Sequence, residues 1–161
     1  MGLSVLRNGA GADLVLLHGW GMNAAVWGGL PAVVANAWQC HCIELPGHGA
    51  SPFAPAWDLL SRWARLCLDA APRRAVWGGW SLGGLVALQA ALDAPERVTA
   101  LVLITTTPRF VRAADWPAAM ALETLAQFHN GLLADPSAML QRFLALQVRG
   151  GEAGRATLRT L

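Results

Sequence analysis

Four short apolar runs punctuate the first two thirds of the chain: Leu14–Gly19 (LVLLHG), Gln39–Leu45 (QCHCIEL), Arg74–Gly79 (RAVWGG) and Ala100–Thr105 (ALVLIT). Stretches of helical character separate them, and this alternation constrains the fold more than any other feature. Runs of this length bounded by turn residues read as strands. A helix between successive strands makes them parallel neighbours in one sheet with helices on its faces, an α/β architecture. LVLLHG and ALVLIT read as buried strands. The first helix candidate, Ala24–Ala37, is weakened by Gly28, Gly29 and Pro31. The second, Trp57–Ala70, places Leu59, Leu60, Trp63, Leu66, Cys67 and Ala70 on one face. The third runs from Leu82 to Leu92 and stops near APERV.

Composition agrees with a buried sheet. Of the 161 residues, 55% are hydrophobic and 14% charged, which excludes a disordered chain and is enough for one domain with its own core. Leu14–Ile43 and Ala75–Ala91 lack formal charge, but glycines, Pro31, Asn23, Asn36, Gln39, Ser81 and Gln89 break them. A strand followed by a helix explains both better than a membrane span of about 20 apolar residues. A net charge of +2 is too small to argue for nucleic acid. Three cysteines, an odd number, and no apolar leader within Met1–Gly11 point to the reducing cytoplasm. Cys40, His41 and Cys42 could suggest a metal, but they read as a strand whose side chains alternate between two buried faces. No metal and no cofactor is expected; there is no phosphate loop and no dinucleotide fingerprint.

After Thr107 the pattern changes to helices at Trp116–Leu133, Ser137–Val148 and Gly151–Leu161, separated by ADP and RGG. The expected organisation is a core over 1–107 and a helical lid over 108–161.

The stretch GGWSLGG (Gly78–Gly84) carries the chemistry. Gly79-Trp80-Ser81-Leu82-Gly83 is a G-x-S-x-G sequence directly after one predicted strand and directly before a predicted helix. There a serine sits at the apex of a sharp turn, the flanking glycines avoid collisions, and the helix N-terminus faces the reacting oxygen. HGWG (His18–Gly21) follows the first strand, where such a fold draws one oxyanion amide. Trp20 and Leu82 are the candidate donors. In the lid, Met139, Leu140, Phe143, Leu144 and Gln147 recur at helical spacing, serving either the packing beneath a lid or substrate contact. From Ser137 onward Arg142, Arg149, Arg155 and Arg159 stand against one acid, Glu152, forming either a basic docking face or a solvated one.

The stretches LVLLHGWGMNAAVW, ELPGHGAS, WGGWSLGGLVALQAAL and RFLALQ together resemble the α/β-hydrolase superfamily. Within it they are most similar to the pimeloyl-[acyl-carrier protein] methyl ester esterases of biotin synthesis. The resemblance implies a mostly parallel sheet with a helical lid and a serine carboxylesterase. It further implies Ser81 as nucleophile, Trp20 and Leu82 around the oxyanion, and Phe143, Leu144, Ala145, Leu146 and Gln147 along the acyl channel. An acyl-carrier protein is then the partner, met by the lid arginines, and the intact enzyme is a monomer. Another small-ester or thioester hydrolase is the alternative, as is a non-catalytic binding module.

A serine nucleophile needs a histidine and an acid, in the order Ser, acid, His for this fold. The four histidines are His18 in the oxyanion loop, where its ring braces the loop, His41 in a strand, His48 in PGHG and His129 in the lid. Asp115, Glu123, Asp135 and Glu152 all fall in the lid, and TTTP (Thr105–Pro108) offers no acid. The expectation is an N-terminal part of a longer hydrolase, inactive alone and exposing a sheet edge, with His18 and His129 the first suspects if it were active.

Overall fold

Strand β2 (Ala12–Leu17) occupies the centre of a five-stranded sheet of order β1-β3-β2-β4-β5. The computed structural model describes residues 2–147. It pairs β2 in parallel with β3 (Trp38–Ile43) on one side and with β4 (Ala75–Trp80) on the other. Strand β5 (Val98–Ile104) continues the parallel set beside β4. Strand β1 (Val5–Asn8) adds to β3 antiparallel, with Val5 opposite Ile43 and Asn8 opposite Cys40. Its four residues, VLRN, are too few and too polar to announce a strand, and pairing with β3 decides their conformation.

The helical stretches deliver α1 (Leu30–Val33), α2 (Leu60–Ala70) and α3 (Leu82–Asp93). The Ala24–Ala37 candidate is not one helix. A 3-10 turn over Ala24–Trp27, whose Ala25 N–H donates to the Asn23 side chain at 2.9 Å, ends at Gly28 with φ 49°. A single turn, α1, restarts with Pro31 in its first positions.

One face of the sheet holds the larger core. Val15, Leu17, Ile43 and Trp77 pack there against Ala64, Cys67 and Leu68 of α2 and Val86, Ala87 and Ala90 of α3. The buried stripe of α2 differs from the projected one. Leu59 is 62% exposed because it is the extended N-cap residue, not part of the helix, and Leu60 in the first turn is 36% exposed. On the opposite face Leu16, Ala24, Cys40 and Cys42 cluster. Burial pushes the Cys42 thiol up to about 11 and raises Cys40 and Cys67 as well. All three stay protonated and serve as small apolar side chains. Among the described residues no group of His, Cys, Asp and Glu could hold a metal ion.

Strand β5 is not buried as ALVLIT suggested. Val102, Leu103 and Ile104 are 50%, 43% and 39% exposed, because among the described residues β5 pairs with β4 alone and lies at the sheet edge. Arg97, just before it, donates from its guanidinium to the carbonyls of Leu68, Pro72 and Arg73. It thereby ties the α2 C-terminus to the start of β5.

The chain divides into two compact units, Met1–Thr106 and Thr107–Leu161. Within the second, Val111 bridges Met120 and Ala113 bridges Trp116 before α4 (Leu122–Ala134) begins. The helix does not start at Trp116, since Pro117 disfavours helical geometry at the residue before it. Helix α5 (Pro136–Gln147) follows, with the Asp135 carboxylate accepting the Ala138 N–H at 3.0 Å. Phe128 of α4 and Phe143 of α5 pack with ring centres 5.8 Å apart. The expected helix Gly151–Leu161 lies outside the described residues. Among the described residues no helix is long and apolar enough to cross a membrane.

Candidate active site

Ser81 connects β4 to α3 in a backbone conformation that side-chain-bearing residues rarely adopt, φ 53° and ψ −113°. Such a conformation costs about 1–3 kcal/mol and persists only where its surroundings enforce it. The surroundings are specific. The Ser81 N–H donates to the Ile104 carbonyl at 2.9 Å, and the Ser81 carbonyl accepts the Leu85 N–H at 3.1 Å. The Thr106 hydroxyl lies 3.1 Å from the Ile104 carbonyl oxygen and 3.3 Å from that of Ser81, so the strand after the elbow holds the elbow from outside. A Cβ on Gly79 would run into the backbone of Gly83 and Gly84, and one on Gly83 into the Leu17 and His18 carbonyls. The turn is therefore packed backbone against backbone. Leu82 opens α3, whose leading amides have no acceptor within the helix and carry the positive end of its dipole.

The loop leaving β2 lies beside this elbow. A Cβ placed on Gly19 would sit 3.8 Å from the Ser81 Cβ and 3.7 Å from the Trp80 carbonyl oxygen. The Met22 N–H donates to the Gly19 carbonyl at 3.3 Å and closes a turn over Trp20 and Gly21, with Gly21 at φ 72°.

Two histidines stand behind the loop. His18 is fully buried; its Nε2 accepts the Leu45 N–H at 3.0 Å and its Nδ1 lies 2.8 Å from the Gly19 carbonyl oxygen. The ring is thus the neutral tautomer protonated at Nδ1, which donates to Gly19. His48 mirrors it. Its Nε2 accepts the Gly21 N–H at 3.1 Å, and its Nδ1 donates to the Pro46 carbonyl at 2.9 Å. The PGHGAS turn that carries His48 is itself pinned. The buried Glu44 carboxylate accepts the Ala50 N–H at 2.7 Å, and the Ser51 hydroxyl donates to the Glu44 carbonyl at 2.6 Å.

With both ring nitrogens engaged, His18 is no base for Ser81, which removes one of the two suspects. Its pKa falls to about 4, first because burial penalises the imidazolium; the nearby His48 lowers it further, while the Gly19 carbonyl and Glu44 oppose the shift. The sign follows from linkage. Between pH 6.5 and about 4 the unfolded state binds a proton that the folded state refuses, so stability falls as pH falls through that window. The full loss attributable to this group is about 3 kcal/mol. Urea denaturation at stepped pH is expected to show the decline beginning near pH 6.5, and the His18 ring signals in NMR to stay neutral down to about pH 5.

His41 is also engaged, its Nε2 2.6 Å from Asp13 Oδ1 across β3 and β2. His129 is exposed on α4. The sequence-predicted residues thus divide. Ser81, Leu82 and Trp20 belong to the first unit, at the elbow and the adjacent loop. Arg142 and Phe143–Gln147 lie on α5 of the second unit, where Leu144 is buried, Phe143 half-buried and Leu146 exposed. Arg149, Arg155, Arg159 and Glu152 lie outside the described residues. The loop-bracing role of His48 and the Thr106 contact were not read from the sequence. PGHG signals a turn, but nothing local tells which amide its imidazole reaches.

Residues 14–146 match the family model for the alpha/beta hydrolase fold. Among curated proteins, the chain is 48% identical over 150 residues to a pimeloyl-[acyl-carrier protein] methyl ester esterase of Nitrosomonas europaea, covering 93% of this chain and 59% of that protein. It is 44% identical over 159 residues to the protein of the same name from Methylococcus capsulatus, covering 99% and 62%. Among solved structures, an esterase from Exiguobacterium antarcticum superposes with a TM-score of 0.83 at 19% identity over 98% of this chain and 63% of its own, a likeness of fold alone. A hydrolase from Pseudomonas aeruginosa gives 0.72 at 26% identity, over 99% and 66%. The chain spans about six tenths of the length of the curated relatives it matches.

Proposed function

The chain belongs to the α/β-hydrolase family, and we propose that Ser81 is the nucleophile of a carboxylic ester hydrolase, with the Trp20 and Leu82 amides receiving the oxyanion. The observation that carries this reading is the strained conformation of Ser81 at the head of α3, with Gly19 alongside. Strain at a strand-to-helix turn lifts a side chain clear of the sheet. In the reaction, the Ser81 Oγ adds to the ester carbonyl carbon as its proton passes to a base. The carbonyl oxygen takes the negative charge, and two aimed N–H groups stabilise it by roughly 2.7–4 kcal/mol each. The intermediate collapses as the base returns its proton to the leaving oxygen, so that a neutral alcohol departs, and water hydrolyses the acyl-enzyme by the same route.

The substrate proposed is the methyl ester of pimeloyl-[acyl-carrier protein], which makes methanol the leaving group and an acyl-carrier protein the partner. The names carried by the relatives from Nitrosomonas europaea and Methylococcus capsulatus support it. Phe143–Gln147 on α5 would line the acyl path, and Arg142 with Arg149, Arg155 and Arg159 would meet the acidic carrier, the second unit acting as a lid. The enzyme would work as a cytoplasmic monomer. The intact protein is expected to turn over methyl pimeloyl-carrier protein with a kcat/KM far above that for short nitrophenyl esters. Hydrolysis of the latter alone would leave a general esterase.

A specific observation favours a further reading of the chain by itself. Its histidines at 18, 41 and 48 are each held by other partners. The 161 residues alone are therefore expected to react with a fluorophosphonate only slowly; fast labelling of Ser81 would point to His129, exposed on α4, as the base.

A further inference from the structure

We infer that His48 is a positioning residue for the oxyanion amide of Trp20, an inference that rests on the reading of the site just given. A peptide unit is planar and trans, so its carbonyl and N–H point in opposite directions and holding one aims the other. Trp20 lies between two such units. The first runs from the Gly19 carbonyl to the Trp20 N–H, and its carbonyl oxygen is held by the Met22 N–H at 3.3 Å and by the His18 ring at 2.8 Å. The second runs from the Trp20 carbonyl to the Gly21 N–H, and that N–H is held by His48 Nε2 at 3.1 Å. One histidine thus pins the plane before the Trp20 α-carbon and another pins the plane after it. With both planes held, the two soft dihedrals of Trp20 have little freedom, and its N–H direction is set before substrate arrives.

The His48 ring is suited to this. Its Nδ1–H is occupied by the Pro46 carbonyl at 2.9 Å, which leaves Nε2 as an acceptor. Trp63 of α2 meets the ring edge-on at 6.1 Å and 78°, and the Trp63 indole is itself held by the Trp57 carbonyl at 2.7 Å. The His18 ring lies 5.2 Å from it. Tertiary contacts from α2 and from the PGHG turn therefore fix where the loop after β2 points.

Glutamine and asparagine separate the two hydrogen bonds of the ring. A glutamine oxygen reaches the position of Nε2 and keeps the Gly21 contact; an asparagine amide reaches only the position of Nδ1 and keeps the Pro46 contact. In the intact protein, His48→Gln is expected to hold kcat for ester hydrolysis within about threefold of the parent, while His48→Asn lowers it about 10–100-fold with KM little changed. Both variants are expected to melt within a few degrees of each other. Equal kcat in the two variants, or losses that track their melting temperatures, would overturn the inference. Ser81→Ala measured alongside separates the two levels. A dead Ser81→Ala with a fully active His48→Asn overturns the positioning role alone, whereas an active Ser81→Ala overturns the reading of the site and this role with it.

Discussion

Ser81→Ala in the intact protein is expected to lower kcat by about 10⁴-fold or more and to abolish labelling by a fluorophosphonate. The size of the loss follows from covalent catalysis: without the Oγ there is no acyl-enzyme, and only substrate binding and the oxyanion amides remain. A companion variant tests the strain that supports the assignment. At φ 53° and ψ −113° a Cβ is poorly tolerated, and glycine alone adopts this geometry freely. Ser81→Gly is therefore expected to be as inactive as Ser81→Ala yet more stable than it by about 1–2 kcal/mol. Urea midpoints of the two variants measure the difference directly. A glycine variant no more stable than the alanine one would mean that the elbow stores no strain.

Gly83→Ala is expected to give a large loss of stability, about 3–5 kcal/mol, a substantial share of the 5–15 kcal/mol available to a domain. A Cβ at Gly83 would be driven into the carbonyl groups of Leu17 and His18. Those atoms end the central strand and open the loop that follows it, so they cannot rotate aside as a side chain would. Relief requires α3 to move off the sheet, loosening Val86, Ala87 and Ala90 from the core and shifting Ser81. Two neighbouring glycines set the scale. At Gly84 the obstruction is Thr106, whose hydroxyl can rotate away but whose Cβ, 2.8 Å from the added carbon, moves only with its loop, and the cost is expected to be intermediate, about 1–3 kcal/mol. At Gly19 an added Cβ meets nothing closer than 3.5 Å, so Gly19→Ala is expected to fold normally. Denaturant midpoints in the order Gly19→Ala above Gly84→Ala above Gly83→Ala check the steric ranking.

What the sequence determined by itself was local. LVLLHG, RAVWGG and the G-x-S-x-G stretch specified strand, elbow and helix, because apolar runs and crowded glycines act within one strand-turn-helix unit. The same run-and-turn pattern located the loop after β2 and the head of α3, and the fold sets Gly19 of that loop beside Ser81. Tertiary structure decided the rest. Strand β1 exists because β3 offers it a free edge, and β5 is exposed because among the described residues it pairs with β4 alone, neither of which is a property of VLRN or ALVLIT. Gly28, already a weak point of the Ala24–Ala37 candidate, divides it outright, since one residue at φ 49° outweighs the pattern around it. His18 and His48 stand thirty positions apart in the chain, and their tautomers follow from Leu45, Gly19, Pro46 and Gly21. An imidazole can be a base, a ligand or a brace; which it becomes depends on the two groups its nitrogens meet, and only the folded chain brings those groups to it.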